Sequence, residues 1–251
     1  MNLITNIMTN FARFGALMVI ILLTFVIAYL FEKIAKKRQG DTTRVLDVRK
    51  LAIIGVFSAV AFVLMLIEFP LPFAPEFYKF DFSDIPALIG GFAAGPLVAV
   101  MIEFVKLLLK MVFRGTNSAF VGEITNFVVG AAFVLPATII YRFKKTRISA
   151  LMSCLCGALC ITVAGVLLNA YFLLPAYAGM YGMDIQTLIG YGTEINPSIN
   201  NLFTFCLLAV APFNLLKGVV DSLVTFLVYK KLSPILKNGF TSTAKKTKTE
   251  A

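Results

Sequence analysis

The sequence predicts an all-α integral membrane protein, and three observations carry that prediction. Of its 251 residues, 59% are apolar and 14% charged, where a soluble domain has about half apolar and about a quarter charged. The mean hydropathy is +0.88. The apolar residues form long runs, and 17 of the 23 lysines and arginines sit beside those runs in three short segments, 33–50, 142–147 and 230–248. Together these features exclude a disordered chain, a disulfide-built secreted module and a soluble two-domain enzyme. The net charge of +10 does not imply a nucleic-acid partner, because cations at the ends of apolar runs are topology signals on cytoplasmic loops.

Seven apolar segments follow in order. The first, Phe14 to Phe31, has eighteen uncharged residues, near the number that crosses hydrocarbon. Only Arg13 precedes it, and a basic stop-transfer cluster follows, so it reads as a retained helix with an outside N-terminus rather than a signal peptide. The second runs from about Leu51 to Phe69 and ends at Pro70, Pro72 and Pro75, which cannot continue a helix. The stretch PLPFAPEFYKFDFSD then reads as an outer loop whose Asp81 and Asp84 are solvated, with Asp84 capping the next helix. A third segment, Ile85 to about Val98, contains Gly90, Gly91, Gly95 and Pro96 and is expected to be short or broken. A fourth, about Ala99 to Phe113, carries Glu103 and Lys106 at i and i+3, the spacing of a local ion pair.

The fifth spans about Ala119 to Tyr141 and the sixth Ser149 to beyond Leu174. The seventh enters at Asn196-Pro197 and reaches Tyr229, long enough to project from the bilayer or bend at Pro212. Residues 233–251 read as a disordered cytoplasmic tail.

Polar residues inside such spans need a reason, since a charge at the bilayer centre costs about 2.5–3.5 kcal/mol on insertion scales. Counting helical rise from the basic ends places Lys217 about 20 Å and Asn169 about 30 Å up. Asn214 shares a face with Lys217, and Glu123 and Asn126 lie near the outer start of the fifth span. All five belong to the outer half, as in a pocket with apolar walls and a few orienting polar groups. The alternative is structural: Lys217 pairs with Asp221 at i+4 and the asparagines bridge helices. Cys154, Cys156, Cys160 and Cys206 sit in apolar runs as small hydrophobes, and without histidine or paired CxxC motifs no metal site is expected. The chain has no G-x-x-x-x-G-K-[ST] loop, so it does not hydrolyse ATP itself.

Four stretches carry a resemblance: FPLPFAPEFYKFDFSDIPALIGGFAAGP (69–96), GTNSAFVGEITNFVVGAAFVLPATIIYR (115–142), NAYFLLPAY (169–177) and PFNLLKG (212–218). They resemble the riboflavin-specific substrate-binding subunit, or S component, of energy-coupling-factor transporters, over about residues 50–232. The resemblance implies a six-helix S-component bundle over residues 51–232. To it the sequence adds an extra N-terminal transmembrane helix within 1–36 and a basic linker over 37–50. It further implies capture of riboflavin from outside and delivery through a transmembrane coupling protein and two ATPase subunits in the cell membrane. Riboflavin would then be cargo, with no cofactor and no enzymatic activity.

Carried over by position, Asn169, Asn214 and Lys217 match the flavin-contacting polar residues, and the 72–84 loop matches a lid. The chemistry agrees: asparagines pair with the amide-like ring edge, Lys217 donates to carbonyl or hydroxyl oxygens, and Phe77, Tyr78, Phe80 and Phe82 cover the ring beside Asp81. The family's AxxxA docking motif appears as Ala52-xxx-Val56 and Gly55-xxx-Ala59. A folate pocket would want more cations and a thiamine pocket an acid or aromatic cage. A self-sufficient ion-coupled carrier would have to rely on Glu123 and Asp221.

Overall fold

The computed structural model describes residues 3–116 and 120–246. Helix α1 (Leu3–Arg38) ends in the basic run Lys36, Lys37 and Arg38. After a short linker, Asp47 caps α2 (Val48–Leu66) by accepting the Lys50 N–H at 2.7 Å. The prolines beyond α2 stop it, and an antiparallel pair, β1 (Phe69–Pro70) with β2 (Lys79–Phe80), closes the loop between them.

Helices α3 (Asp84–Ala94) and α4 (Pro96–Arg114) are separated by Gly95 alone. Its φ of 111° suits glycine, and a Cβ there would run into the Glu32 carboxylate. The third and fourth segments therefore divide at 95, three residues before the expected limit at Val98. At about 16 Å long, α3 is half of one crossing. It is buried almost throughout, packed against α2, α4, α5 (Val121–Phe143) and α10 (Ala211–Lys246). An all-round apolar helix requires such an enclosed site.

The third of the seven segments is thus short, as expected. Five described stretches are long and apolar enough to cross: Gly15–Arg38, Val48–Leu66, Val121–Phe143, Arg147–Gly179 and Leu202–Tyr229. The fourth segment, α4, has length enough at 19 residues, but Glu103, Lys106, Lys110 and Arg114 make it unsuited to facing lipid. The expected start of the fifth span at Ala119 lies outside the described residues.

Helix α6 (Arg147–Leu168) continues through a π turn, Asn169–Leu173, into α7 (Leu174–Tyr181). Asp184 caps α8 (Ile185–Ile195), an amphipathic helix absent from the sequence reading. A capping box opens α9 (Leu202–Phe205), which passes through a second π turn, Cys206–Val210, into α10. One residue separates each π turn from a proline, Pro175 or Pro212. The Leu174 N–H bonds Asn169 O and the Ala211 N–H bonds Cys206 O, five residues back. Widening by one residue accommodates a ring that would clash with the carbonyl four residues earlier. Pro212 is accommodated in this way. Residues 233–246 continue α10, so the described part of the expected disordered tail is helical. Residues 247–251 lie outside the described residues.

One core fills the space among α2 to α6 and α10, and a second packs α1 against α4 and α5. Within the latter, the Phe25 ring lies 5.5 Å from Phe104 and 5.9 Å from Phe127. A third core joins the 71–82 loop to α7, α8, α9 and the start of α10. At the basic end of the bundle Glu32, 0% exposed, accepts from Lys50 Nζ at 2.7 Å and from Arg142 Nε and Nη2 at 3.2 Å. It ties α1 to the start of α2 and the end of α5.

Candidate functional site

Away from the basic end, the helices leave a cavity of about 570 Å³. The loop contributes Phe77, Tyr78 and Asp81, α4 contributes Lys110 and Arg114, and α5 contributes Glu123 and Asn126. The first π turn and α7 add Asn169, Leu173 and Tyr177, and α10 adds Phe213, Asn214 and Lys217. The two π turns touch, which brings Asn169 and Asn214 to one wall.

Both asparagines anchor to their own helices. Asn169 Nδ2 donates to Gly165 O at 2.7 Å and Asn214 Nδ2 to Val210 O at 2.9 Å. Gly165 is required for this arrangement, since a Cβ on it would overlap the Asn214 amide. Asn169 Oδ1 accepts a short bond from the Tyr78 hydroxyl at 2.5 Å. Burial pushes the Tyr78 phenol well above its ordinary value, so it remains a donor.

Lys217 is the most heavily engaged group. Its Nζ donates to Asp81 O at 2.8 Å and Asp81 Oδ1 at 3.2 Å, and pairs with Asp84 Oδ2 at 3.2 Å and Asp221 Oδ2 at 3.6 Å. It also lies 5.6 Å from the Phe80 ring centroid. Behind it, Lys106 Nζ bonds Asp84 Oδ1 at 2.5 Å and Ser83 Oγ at 2.9 Å, and pairs with Glu103 Oε2 at 2.7 Å. The expected i, i+3 pair is therefore present, as part of a larger buried cluster.

This corrects the reading of Asp81 and Asp84 as solvated loop acids: they are 4% and 2% exposed. The loop descends into the bundle because α3 is short. Asp84 and Lys106 lie equally far from Gly95 along their helices, about 16.5 Å at the helical rise, so the carboxylate meets the ammonium at one depth. Lys217 and Asp221 do pair, but at the longest of Lys217's four distances.

Of the ten expected ligand contacts, eight line the cavity: Phe77, Tyr78, Asp81, Glu123, Asn126, Asn169, Asn214 and Lys217. Glu123 Oε2 accepts from Thr116 Oγ1 at 2.9 Å. Phe80 and Phe82 do not line it. Phe80 is buried against Phe69 and Phe82 at ring distances of 5.4 and 5.2 Å. Phe82 faces a separate apolar groove with Phe57, Ile85, Ile89 and Val224. Ala52, Gly55, Val56 and Ala59 lie on the exposed face of α2, opposite the buried Ile54, Ser58, Ala61 and Met65.

Sequence reasoning missed Lys110, Arg114, Tyr177 and Phe213. The i, i+4 spacing of Lys110 and Arg114 at the end of α4 was the available signal. Tyr177 and Phe213 fall within the NAYFLLPAY and PFNLLKG stretches.

Comparison with known proteins finds a family model, ECF transporter substrate-specific component, matching residues 49–229. The riboflavin transporter FmnP of Bacillus subtilis (strain 168) is 33% identical over 190 residues, covering 75% of this chain and 94% of that protein. The riboflavin transporter RibU of Staphylococcus aureus (strain TCH60) is 35% identical over 190 residues, covering 75% and 93%. A solved structure described as that of the S component of a bacterial ECF transporter superposes with a TM-score of 0.59 at 34% identity. It covers 75% of this chain and 98% of that one. The matched region starts one residue inside α2 and leaves α1 outside it. The chain belongs to the substrate-specific components of ECF transporters.

Proposed function

We propose that this chain captures riboflavin in the cavity between the loop and α10 and hands it to an ATP-driven coupling module. One observation carries the reading: amide and ammonium side chains from two separate helices, Asn169, Asn214 and Lys217, converge on one cavity whose lining combines the rings of Phe77, Tyr78, Tyr177 and Phe213 with further polar groups, among them Asp81, Lys110, Arg114, Glu123 and Asn126. A neutral tricyclic ring with an imide edge suits that lining. The edge offers an N–H to an asparagine oxygen and carbonyls to an amide or ammonium donor. Phe77, Tyr78, Tyr177 and Phe213 supply ring contacts. The names of the Bacillus subtilis and Staphylococcus aureus relatives support the choice of riboflavin.

By the positive-inside rule the basic end, with Arg38, Arg142 and the residues after Tyr229, faces the cytoplasm of a multi-pass cell-membrane protein. The N-terminus and the cavity then face outward. Family membership implies a partner module, here one transmembrane coupling protein and two ATPases. The exposed stripe of Ala52, Gly55, Val56 and Ala59 is the surface offered to it, small enough for close helix approach.

Titrating purified protein against riboflavin, folate, thiamine and biotin, with quenching of flavin fluorescence as the direct readout and the others as competitors, tests the reading. Saturable riboflavin quenching that the other vitamins do not displace is expected. Displacement by one of them at lower concentration than riboflavin would reassign the substrate.

A further inference from the structure

Two of the polar groups assigned to the ligand, Asn169 and Lys217, are already engaged by the loop. Asn169 Oδ1 holds the Tyr78 hydroxyl at 2.5 Å. Lys217 Nζ holds both the carbonyl and the carboxylate of Asp81, at 2.8 and 3.2 Å. Tyr78 and Asp81 are three residues apart on the segment that enters β2 and leaves it. One is a hydroxyl donor aimed at an amide oxygen, and the other offers oxygen acceptors aimed at an ammonium. This is the pattern of an imide N–H flanked by carbonyls.

Both hydrogen bonds that Lys217 Nζ donates go to Asp81, and Asp84 Oδ2 and Asp221 Oδ2 lie within 3.6 Å as ion pairs without a hydrogen bond. A ligand carbonyl that takes over these donated bonds displaces Asp81. Asp84 and Asp221 belong to α3 and α10 and are fixed by packing, and Asp84 is bonded to Lys106 as well. Asp81 lies in the loop and lines the cavity. Its Oδ1 also accepts the Ser83 N–H at 2.8 Å, so the carboxylate keeps a partner when Lys217 turns away.

We infer that Tyr78 and Asp81 act as a built-in stand-in for the ligand: the loop satisfies Asn169 and Lys217, and the ligand must displace it to bind. The inference rests on the riboflavin reading and deepens it. The loop contacts then set a penalty on capture, because the apparent affinity falls by the fraction of molecules whose recognition groups are free. They also keep the buried Asn169 amide oxygen paired, since an unpaired buried polar group is costly.

The test is stopped-flow flavin quenching on the full chain with Tyr78→Phe, which keeps the ring and deletes only the hydroxyl. Association about threefold faster, or more, with tighter equilibrium binding, is expected for the loss of one competing hydrogen bond. The same substitution on an Asn169→Ala background should give no such gain, because the competed acceptor is gone. Unchanged or slower association in Tyr78→Phe, or a gain that persists without Asn169, overturns the inference alone. Absence of flavin binding by the unaltered chain overturns the functional reading and this inference together.

Discussion

Among the described residues are two buried ionic clusters, and they are built differently. At the basic end one carboxylate, Glu32, meets two cations, and both its oxygens are hydrogen-bonded. In mid-bundle four carboxylates, Asp81, Asp84, Glu103 and Asp221, share two ammoniums, and Asp84 Oδ2 with both oxygens of Glu103 and of Asp221 lacks a hydrogen bond. The saturated cluster joins three helices and lines neither the cavity nor the apolar groove beside Phe82. The unsaturated one ends at Lys217, which lines the cavity. A closed ion network holds a fold together, whereas an open one stays costly and is retained where a group must change partners.

Substitutions separate the two clusters. The largest effect is expected for Glu32→Ala, which strands Lys50 and Arg142. Losing one member of a buried pair costs about 3 kcal/mol, to be read as a lowered thermal unfolding midpoint in detergent, with riboflavin affinity unchanged. Equal stability would show that the cluster at the basic end is not a fastening. Next, Asn214→Ala should weaken riboflavin at least about tenfold, or 1.4 kcal/mol, with little loss of stability; equilibrium quenching measures it. Gly165→Ala should reproduce much of that loss by pushing the Asn214 amide aside. A smaller effect is expected for Glu103→Gln, because a carboxylate with unsatisfied oxygens contributes little: less than about 1 kcal/mol, of either sign. A loss as large as that of Glu32→Ala would erase the distinction between the clusters.

The smallest effect concerns pH. Burial alone would raise the Asp41 carboxyl, but bonds from Lys36 and Thr43 outweigh it and bring it down to about 2 from an ordinary 3.8. A carboxyl lowered on folding stabilises the folded state above its unfolded value and loses that contribution as pH falls from about 4 toward 2. The stability advantage of the unaltered chain over Asp41→Asn should therefore be present at pH 6 and shrink on acidification below pH 4, as followed by thermal unfolding.

Much of this was legible in the sequence because membrane segments are written in runs. Apolar length, basic ends and prolines located most helices, and helical rise alone put Asn169, Asn214 and Lys217 near one another. Depth along the bundle axis is a one-dimensional quantity that counting recovers. The partners of Lys217 were not legible. Asp81 is 136 residues away, and the loop carrying it looks like any polar outer loop until the shortness of α3 draws it inward. Phe80 and Phe82 were misassigned for a related reason: composition shows that a loop is aromatic, but not which rings turn to the cavity and which to the core. The helix α8 was passed over because its polar face matched the loop composition around it.

The convergence of Lys217 with the two asparagines on one ligand is tested most directly by titrating riboflavin into the unaltered chain and Lys217→Ala side by side, with folding of both checked by thermal unfolding. Affinity lowered at least about tenfold in a folded variant is the expected result. Equal affinities would mean that the ammonium serves the ion cluster alone and that the ligand is held elsewhere.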